Sequence, residues 1–375
     1  MRKVGQRIGT GFLALAFGAG VAGAADTVAT AAGALQITPV AEGLVEPWAI
    51  AFLPEGAFLV TERDGQLKHF AAPLAEAQIL SGLPQIEVDG QGGLLDVLIP
   101  RDFATSREVW LTYAKAQGGG SGTAIGKGRL SADGMTLEGF TELFEMPPGA
   151  SGGRHFGARM VEATDGTIFL TLGDRGTGPD GLQAQDMAVA EGKIIHLNRD
   201  GTPATVLDGA LPGLFSLGHR NPQGATLDLA GRLLVVEHGA QGGDELNAPE
   251  AGRNYGWPVI SYGVNYNDAP IGVGSAQDGM EQPLHYWDPS IAPSGLVVYS
   301  GALIPDWRGD ILFGSLNSDF LGRLDPDTPA PTGYGEERIA SPETGRVRDV
   351  VEAPDGSIWF LSVHDGAAYR LAPVP

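Results

Sequence analysis

The residues of this sequence that are suited to proton transfer are a histidine and an aspartate beside two neighbouring β-rich runs. His155 comes shortly before the run that starts at Ala158, and Asp174 comes just after the run that ends at Leu172. Such a pair is suited to act as a general base and the carboxylate that orients it. Each residue also has a simpler interpretation, because a lone histidine beside a strand is more often structural and aspartate is a common turn residue.

Three arginines and three side-chain amides stand at equivalent places beside other runs, and they suit the recognition of an anion. Arg346 and Arg348 are two apart on a predicted strand, so they face the same side and their like charges need an anionic partner. Pairing with acidic loop residues is the alternative. The other members of the group are Gln91, Arg220, Asn221 and Gln223. With the His–Asp pair, they predict a pocket for a polyanionic ligand beside a proton-abstracting base.

Residues 237–245 form a segment rich in glycine and carboxylates. Backbone carbonyls of such a loop, with carboxylates nearby, suit a hard cation such as Ca²⁺. The segment lacks the ligand spacing of a helix–loop–helix calcium site, so the pattern alone is a weak signal.

A recurring sequence pattern explains how these residues are positioned. It consists of an apolar run, a polar turn, a second β-rich run and another polar turn, and its copies lie roughly 50 to 80 residues apart, as in propeller blades with insertions. The first runs of the six copies are at residues 48–53, 94–99, 158–163, 225–228, from 296, and 347–353. The pattern predicts an all-β, six-bladed β-propeller with four-stranded antiparallel blades, in one domain over residues 25–375. A solenoid is disfavoured by the uneven spacing.

The predicted blades bring the polar residues together. The first strand of each blade begins at one rim of the central channel, and the antiparallel second strand ends at that rim. Residues before first strands and after second strands should therefore converge on one axial pocket. Besides the residues above, these positions hold Ser294, Glu62, Arg175, His238, Gly239, Asn317, His364 and Asp365. The glycine-rich stretches at residues 173–181 and 239–258 are predicted to be loops on one face.

Composition excludes several classes of protein. The formal net charge is -21, which argues against nucleic acid and anionic membranes as partners because both need basic patches. Cysteine is absent, so disulfides, thiolate nucleophiles, iron–sulfur clusters and cysteine-bound zinc are excluded.

Residues 1–24 have the pattern of a cleavable signal peptide. Arg2, Lys3 and Arg7 form a basic start, residues 11–22 are free of charge, and small residues follow up to Ala24. A membrane anchor would need about 20 apolar residues. We therefore expect cleavage after Ala24 and a periplasmic or secreted protein without membrane insertion.

Several motifs together resemble the soluble glucose/sorbosone (aldose sugar) dehydrogenases that use pyrroloquinoline quinone (PQQ), from about Glu46 to the C-terminus. The motifs are Gly90-Gln91-Gly92-Gly93-Leu94-Leu95, His155-Phe156-Gly157, Gly218-His219-Arg220-Asn221-Pro222-Gln223-Gly224, Gly243-Asp244-Glu245-Leu246-Asn247, Asn254-Tyr255-Gly256-Trp257-Pro258 and Arg346-Val347-Arg348-Asp349.

The resemblance implies a six-bladed propeller with the quinone over the axial channel, and a role for each matched residue. His155 would take the proton from the anomeric hydroxyl of an aldose, and Asp174 would orient it. The C1 hydride would pass to the quinone, and Arg220 with Ca²⁺ would stabilise the developing negative charge. The backbone carbonyls of Gly239 and Ala240, with the cofactor, would hold the Ca²⁺. The residues expected to bind the cofactor are Gln91, Arg220, Asn221, Arg346 and Arg348.

Further positions carry less specific expectations. Trp287 either lines the sugar site, as one of its walls, or packs in the core. Glu245 and Tyr255 are candidates for a second, structural calcium site, and ordinary turn chemistry explains them nearly as well. Asn317 stands where the family often has lysine, so one charge that faces the cofactor is missing, and Ala240 replaces a usual proline.

Two other functions remain open from the sequence. A calcium-dependent propeller lactonase would share the metal and His155 but has no use for three arginines facing one pocket. A non-catalytic exported binding propeller has the support of Asn317 alone. A dehydrogenase would also need an external electron acceptor, because the sequence has no Cys-x-x-Cys-His haem site.

Overall fold

The computed structural model describes residues 26–147, 149–176 and 179–375, and the predicted signal peptide lies outside these ranges. The strands are β1 (Asp26–Thr30), β2 (Gly33–Ala41), β3 (Pro47–Phe52), β4 (Phe58–Glu62), β5 (Gln66–Phe70), β6 (Gln78–Ile79), β7 (Leu94–Leu98), β8 (Glu108–Gln117), β9 (Gly120–Leu130), β10 (Leu137–Glu145), β11 (Gly157–Glu162), β12 (Ile168–Leu172), β13 (Lys193–Leu197), β14 (Leu214–Leu217), β15 (Pro222–Leu227), β16 (Leu233–Glu237), β17 (Asp244–Asn247), β18 (His285–Trp287), β19 (Pro293–Val298), β20 (Ile311–Ser315), β21 (Leu321–Ala330), β22 (Gly333–Ile339), β23 (Val347–Glu352), β24 (Ile358–Ser362) and β25 (Ala367–Pro373).

Helical structure in these ranges is limited to short pieces. One α-helix, α1 (Phe103–Ser106), connects β7 to β8. The 3₁₀ turns are Pro54–Gly56, Pro179–Gln185, Pro305–Trp307 and Pro342–Thr344. No helix in the described ranges is long and apolar enough to cross a membrane.

The strands form six antiparallel sheets, which confirms the predicted six-bladed β-propeller. Five sheets have four strands, in the orders β3-β4-β5-β6, β7-β8-β9-β10, β11-β12-β13-β14, β15-β16-β17-β18 and β19-β20-β21-β22. We number these blades 1 to 5 in that order. Blade 6 has the order β1-β2-β25-β24-β23, so two strands from the start of the chain join three from its end.

Blade 6 closes the ring. β2 pairs antiparallel with β25, with Ile37 opposite Leu371. An unpaired β25 would expose a row of backbone donors and acceptors, so the pairing both removes this edge and joins the two ends of the chain.

The blades are held together by apolar side chains between neighbouring sheets. Within the described ranges, six buried hydrophobic clusters lie one at each blade-to-blade junction. The second strands are buried on both faces, as in Phe58, Leu59 and Val60 of β4, which are 0% exposed. This explains why these strands appear in the sequence as continuous apolar runs.

The strand register brings the predicted polar positions to one rim. Gly157 of β11 pairs with Leu172 of β12, so His155 and Asp174 lie at the same end of blade 3. Pro222 of β15 pairs with Glu237 of β16, so Arg220 and Gly239 lie at the same end of blade 4. The loop prediction for residues 239–258 is wrong in part, because β17 lies within this stretch and supplies the third strand of blade 4.

Candidate active site

Two adjoining cavities of about 380 Å³ and about 540 Å³ open at this rim, and we call them together the axial cavity. The first strands of several blades reach it, through residues such as Pro47, Leu95, Gly157 and Arg348. The two parts share five lining residues, which are Gln91, Asn221, His238, Ala292 and Asn317. The cavity is therefore continuous and lies over the centre of the ring.

The predicted histidine and aspartate are paired at the wall of the axial cavity. His155 lines the cavity, and its Nδ1 lies 2.6 Å from Oδ1 of the buried Asp174. Oδ1 also accepts a hydrogen bond from Gly176 N, which supports the carboxylate from behind. We find no hydrogen bond to Nε2 of His155 among the described residues. With Nδ1 held by a carboxylate, Nε2 is the nitrogen free to accept a proton from a ligand.

The electrostatics of this pair favour a neutral histidine beside an ionised carboxylate. Burial lowers the pKa of His155 below 6.5; the Asp174 hydrogen bond opposes this effect and the charges of Arg220 and Arg154 add to it. Burial acts to raise the pKa of Asp174, but the hydrogen bond and charge of His155 outweigh it and the pKa is lowered. His155 is therefore in its proton-accepting form at neutral pH.

The backbone of His155 is held in a conformation that few residues adopt. Its φ is +52°, in the left-handed region, and its N–H donates to Oε1 of Gln91 at 2.8 Å. A non-glycine residue in this region is strained and persists only where its surroundings enforce it. Gln91 is one of the groups that enforce it here.

Arg220 presents its guanidinium to the axial cavity between several neutral acceptors. It contacts the carbonyls of His238 and Gly239, and Nη2 lies 3.4 Å from the hydroxyl of Tyr266. The Arg220 backbone is tied to the His155–Asp174 pair, because the Asp174 N–H donates to the Arg220 carbonyl at 2.8 Å. Nε is buried without a partner in the described part of the chain. An unpartnered buried donor of this kind suits an anionic ligand.

Arg346 and Arg348 both line the same part of the axial cavity, although only Arg348 lies on β23 and Arg346 precedes the strand with a φ of +51°. Arg348 donates to Oε1 of Gln223 at 2.9 Å, and its Nε is buried without a partner in the described ranges. Burial and the positive charges of Arg159 and Arg346 lower the pKa of Arg348 to about 9. Arg346 contacts the Leu316 carbonyl at 3.0 Å, which leaves much of its charge for a ligand.

A buried ion group lies next to Arg348, where the first strands pack together. Arg159 pairs with Asp96 at 2.9 Å and with Asp349 at 3.1 Å. Burial raises the pKa of Asp96 to about 6, although the Arg159 charge opposes this rise. The guanidinium of Arg159 also lies over the ring of Trp48. The group joins blades 2, 3 and 6 through ion pairs, and it joins blade 1 through the contact with the Trp48 ring.

Gly239 and Ala240 line the axial cavity, as expected for a metal site made of backbone carbonyls. The Gly239 N–H donates to Oδ1 of Asp244 at 2.7 Å, which fixes the loop. The Gly239 carbonyl accepts a hydrogen bond from the guanidinium of Arg220, so a cation bound to this carbonyl would share it with Arg220. In the described ranges, no group of three or more His, Cys, Asp or Glu side chains is arranged to hold a metal ion. A cation bound here would therefore need ligands from a cofactor.

Besides Asp174, five of the predicted rim residues lie outside the set that lines the axial cavity: Glu62, Arg175, Ser294, His364 and Asp365. The Glu62 carboxylate pairs with Lys68, the Arg175 guanidinium packs over the ring of Phe156, and the Ser294 hydroxyl donates to the Val347 carbonyl. His364 is exposed and lies near Asp319. The antiparallel arrangement places these residues at the right rim, but side-chain direction and local partners decide whether a residue enters the cavity.

Trp287 packs in the core and lies outside the set of residues that line the axial cavity. It is 3% exposed, and its ring contacts those of Phe313 and His285 between blades 4 and 5. Strand β18 is the outer strand of blade 4, and the residues that follow it, Asp288 to Ser290, line the axial cavity. Core packing describes the position of Trp287 in this structure, and a contact between Trp287 and a sugar stays a prediction.

Glu245 and Tyr255 each have partners within the protein. The Tyr255 hydroxyl donates to the Ala248 carbonyl at 2.7 Å and accepts from Glu250 N at 3.0 Å, as turn chemistry predicts. The Glu245 carboxylate accepts from Asn247, and burial together with Glu237 raises its pKa to about 8.

Two tryptophans that sequence reasoning did not assign to the site contact its charged groups. Trp257 donates from Nε1 to Oδ2 of Asp174 at 2.7 Å. The Trp48 ring lies under the guanidinium of Arg348. Trp257 stands in one of the resembling motifs and Trp48 opens the first repeat, so both were visible, but neither spacing nor residue type indicates an indole that binds a charged side chain.

The family model described as Glucose / Sorbosone dehydrogenase matches residues 44–370 of this chain. The chain belongs to the glucose/sorbosone dehydrogenase family. The match includes every predicted site residue, from Gln91 to Arg348.

Similar proteins in this family include aldose sugar dehydrogenases. Aldose sugar dehydrogenase YliI of Escherichia coli is 37% identical over 338 residues, which cover 88% of this chain and 90% of that protein. The crystal structure of soluble aldose sugar dehydrogenase from E. coli in its apo-form has a TM-score of 0.83 at 35% identity, and covers 91% of this chain and 100% of that one. The PQQ-bound aldose sugar dehydrogenase of Streptomyces coelicolor has a TM-score of 0.74 at 25% identity, with 90% and 98% covered.

Proposed function

We propose that this protein is a PQQ-dependent dehydrogenase that oxidises the anomeric C1 hydroxyl of aldose sugars to the lactone. The observation that supports this most is the His155–Asp174 pair, 2.6 Å apart, at the wall of a cavity that Arg220, Arg346 and Arg348 also line. A base is needed to take the hydroxyl proton, and several cations are needed to bind a tricarboxylate. A lactonase needs the base and does not need the cations.

The residues of the axial cavity fit the cofactor. PQQ is an anionic, planar quinone, and the Nε atoms of Arg220 and Arg348 are buried donors without partners in the described ranges. Arg346 and Arg348 would bind its carboxylates, and Gln91 and Asn221 would donate to its oxygens. The carbonyls of Gly239 and Ala240 would share a Ca²⁺ with the cofactor, because two neutral carbonyls alone leave most of the six to eight ligand positions open.

The chain's own residues supply acid–base chemistry and orientation. When bound, PQQ supplies a two-electron acceptor for the hydride that leaves C1, and Ca²⁺ supplies Lewis-acid polarisation of that acceptor. Nε2 of His155 accepts the proton of the anomeric hydroxyl. Asp174 keeps Nδ1 protonated and stabilises the positive charge that His155 gains. Arg220 places its guanidinium at the cavity wall where negative charge develops.

Export and electron transfer complete the proposal. The basic start and apolar run of residues 1–24 support cleavage after Ala24 and a periplasmic or secreted location. N-terminal sequencing of the protein from a producing cell tests this. An external electron acceptor, either a soluble carrier or a quinone, would reoxidise the cofactor. We also propose Glu245 and Tyr255 as a second, structural calcium site, formed through the Glu245 carboxylate.

Dye-linked oxidation of glucose and other aldoses tests the proposal. The purified mature protein is assayed with Ca²⁺, with and without PQQ, beside His155→Ala and the control His69→Ala. We expect activity only with PQQ, a loss of about 10²- to 10⁴-fold in kcat for His155→Ala and little change for His69→Ala.

Quinone binding, followed by absorbance after gel filtration, separates the negative outcomes. Bound quinone without turnover of any aldose would refute the aldose assignment. A protein that binds no quinone is not a PQQ dehydrogenase, and hydrolysis of lactones would then be assayed with the same variants.

A further inference from the structure

Trp257 contacts two of the charged groups that act on His155. Its indole Nε1 donates to Oδ2 of Asp174 at 2.7 Å, and the guanidinium carbon of Arg220 lies 5.1 Å from the centroid of its ring. One side chain therefore joins the carboxylate that orients the proposed base to a cation that lines the axial cavity. The indole donates along its edge and offers its face, so the two contacts do not compete.

The position of Trp257 is fixed by contacts that do not involve either charged group. Its backbone N–H donates to the Gly218 carbonyl at 2.9 Å, and its carbonyl accepts from Nε2 of Gln185 at 2.7 Å. Gly181 covers the indole–carboxylate contact so closely that a Cβ there would lie 2.8 Å from Nε1 of Trp257 and 3.1 Å from Oδ2 of Asp174. The indole is thus held in place before any ligand enters.

The Asp174 carboxylate is shared between three donors, which are His155, Gly176 and Trp257. Each hydrogen bond draws negative charge from the carboxylate, so the indole reduces the charge that faces the imidazole. The other charged groups that act on His155 are Arg220 and Arg154, both of which oppose its protonation. Loss of the indole N–H would leave more negative charge beside His155.

We propose that Trp257 is a positioning residue that fixes Asp174 and Arg220 relative to each other and keeps His155 in its proton-accepting form. This inference rests on the proposed role of His155 as the base. It assigns to the indole an electrostatic effect and not only a packing one. The sequence places Trp257 in a motif without indicating which of its groups is used.

Trp110 provides a matched control for this inference. Its Nε1 donates to Oε2 of Glu108 at 3.0 Å, and Nζ of Lys127 lies 4.9 Å from the centroid of its ring. It therefore has the same two kinds of contact as Trp257, in blade 2 and outside the axial cavity. Trp110→Phe removes an indole N–H and retains an aromatic face, as Trp257→Phe does.

The test is an NMR titration of the His155 imidazole in the mature protein without added quinone. We expect Trp257→Phe to raise the pKa of His155 by about half a pH unit or more, and Trp110→Phe to leave it unchanged. If Trp257→Phe does not fold, as judged by circular dichroism, Gly181→Ala crowds the same contact and is expected to shift the titration in the same direction. An unchanged His155 titration, or an equal shift in Trp110→Phe, would overturn the proposal.

Quinone affinity examines the contact with Arg220. Trp257→Phe retains the ring face and is expected to bind PQQ with a dissociation constant near that of the wild type, whereas Trp257→Leu should bind it several-fold more weakly. Equal affinities of the Phe and Leu variants would contradict the role of the ring. Aldose oxidation by the wild type is measured separately, so a protein without dehydrogenase activity would refute the proposed function while the titration still decides the effect of Trp257 on His155.

Discussion

The guanidinium of Arg348 lies over the indole ring of Trp48, 4.4 Å from the ring centroid. The guanidinium carbon of Arg159 lies 4.5 Å from the centroid of the same ring, and Arg159 forms ion pairs with Asp96 and Asp349. Trp48 is 3% exposed, so the contact is shielded from water. The guanidinium that we propose binds a cofactor carboxylate therefore packs on an aromatic ring, and that ring also contacts the ion-paired Arg159.

Replacement of Trp48 should therefore weaken cofactor binding. We expect Trp48→Leu to raise the dissociation constant of PQQ about tenfold or more, because a desolvated cation–π contact contributes about 2 kcal/mol. Trp48→Phe retains an aromatic face and should lie between the wild type and the Leu variant. Equilibrium titration of quinone absorbance measures both, and unchanged affinity in the Leu variant would show that Arg348 does not depend on the ring.

Asp174→Asn should impair proton transfer without removing the cofactor. An amide can no longer stabilise the imidazolium that forms on His155 and can hold the wrong tautomer, so we expect kcat to fall by about 10²- to 10⁴-fold. PQQ binding should persist because Asp174 lies behind His155 and does not line the cavity. Asp165→Asn, at an exposed turn of the same blade, serves as the control. A variant that retains wild-type kcat would exclude Asp174 from the proton-transfer pair.

The pH dependence of kcat/KM should follow the unprotonated form of His155. Its pKa lies below 6.5, so more than half of the base is in its active form at pH 6.5 and activity should fall only below that value. An acid limb centred above pH 6.5 would contradict this environment. The profile is measured with a saturating quinone concentration so that cofactor loss at low pH does not distort it.

Asn317→Lys should strengthen cofactor binding. Asn317 lines both parts of the axial cavity, and its side chain donates weakly to the Ser290 carbonyl at 3.3 Å. A lysine there would add a positive charge near Arg346 and Arg348, and we expect the PQQ dissociation constant to fall about tenfold at low salt. Asn317→Gln lengthens the side chain without charge and should leave affinity near that of the wild type. Weaker binding in the Lys variant would indicate that repulsion between the cations dominates.

Glu245→Gln should stabilise the fold at high pH. The folded-state pKa of Glu245 is raised from 4.5 to about 8, so the folded protein favours the protonated form and stability is lost as pH rises towards and through 8. In the presence of a chelator we expect a higher Tm for the variant than for the wild type at pH 9, and little difference at pH 5. Calorimetry measures both.

Calcium provides the complementary measurement for Glu245. If the proposed structural site exists, Ca²⁺ should raise the Tm of the wild type at pH 8 and have less effect on Glu245→Gln. An equal response of both proteins would remove Glu245 from any calcium site.

The fold could be predicted from local pattern because each blade repeats the same short run, turn and run. Strands such as β4 and β24 are buried over their whole length and are mostly apolar, since each is packed between two neighbouring sheets, and this burial is visible in composition. The third strand β17 was missed because Asp244–Asn247 is mostly polar. Its carboxylate and amide groups are buried through hydrogen bonds that a hydrophobicity pattern does not reveal.

The His155–Asp174 pair was predictable because both residues flank adjacent antiparallel strands of one blade, where chain order nearly determines distance. The contacts of the Trp48 and Trp257 indoles with charged side chains were not predictable. Trp257 reaches Asp174 from blade 4 across 83 positions of sequence, and the same residue type at Trp287 packs in the core. Trp257 lies in the connection between β17 and β18, whereas Trp287 lies on β18, so the path of that connection decides which partner the indole meets.

The sequence alone therefore determined the repeat, the blade type, the family motifs and the residues that gather at one rim. Only the tertiary structure decided how the ring closes, through the pairing of β2 with β25, and which rim residues enter the cavity. It also revealed that Trp48 and Trp257 support the arginines and the aspartate. The physical reason is that period and spacing encode contacts along and between neighbouring strands, whereas contacts between blades depend on side-chain direction and on partners distant in the chain.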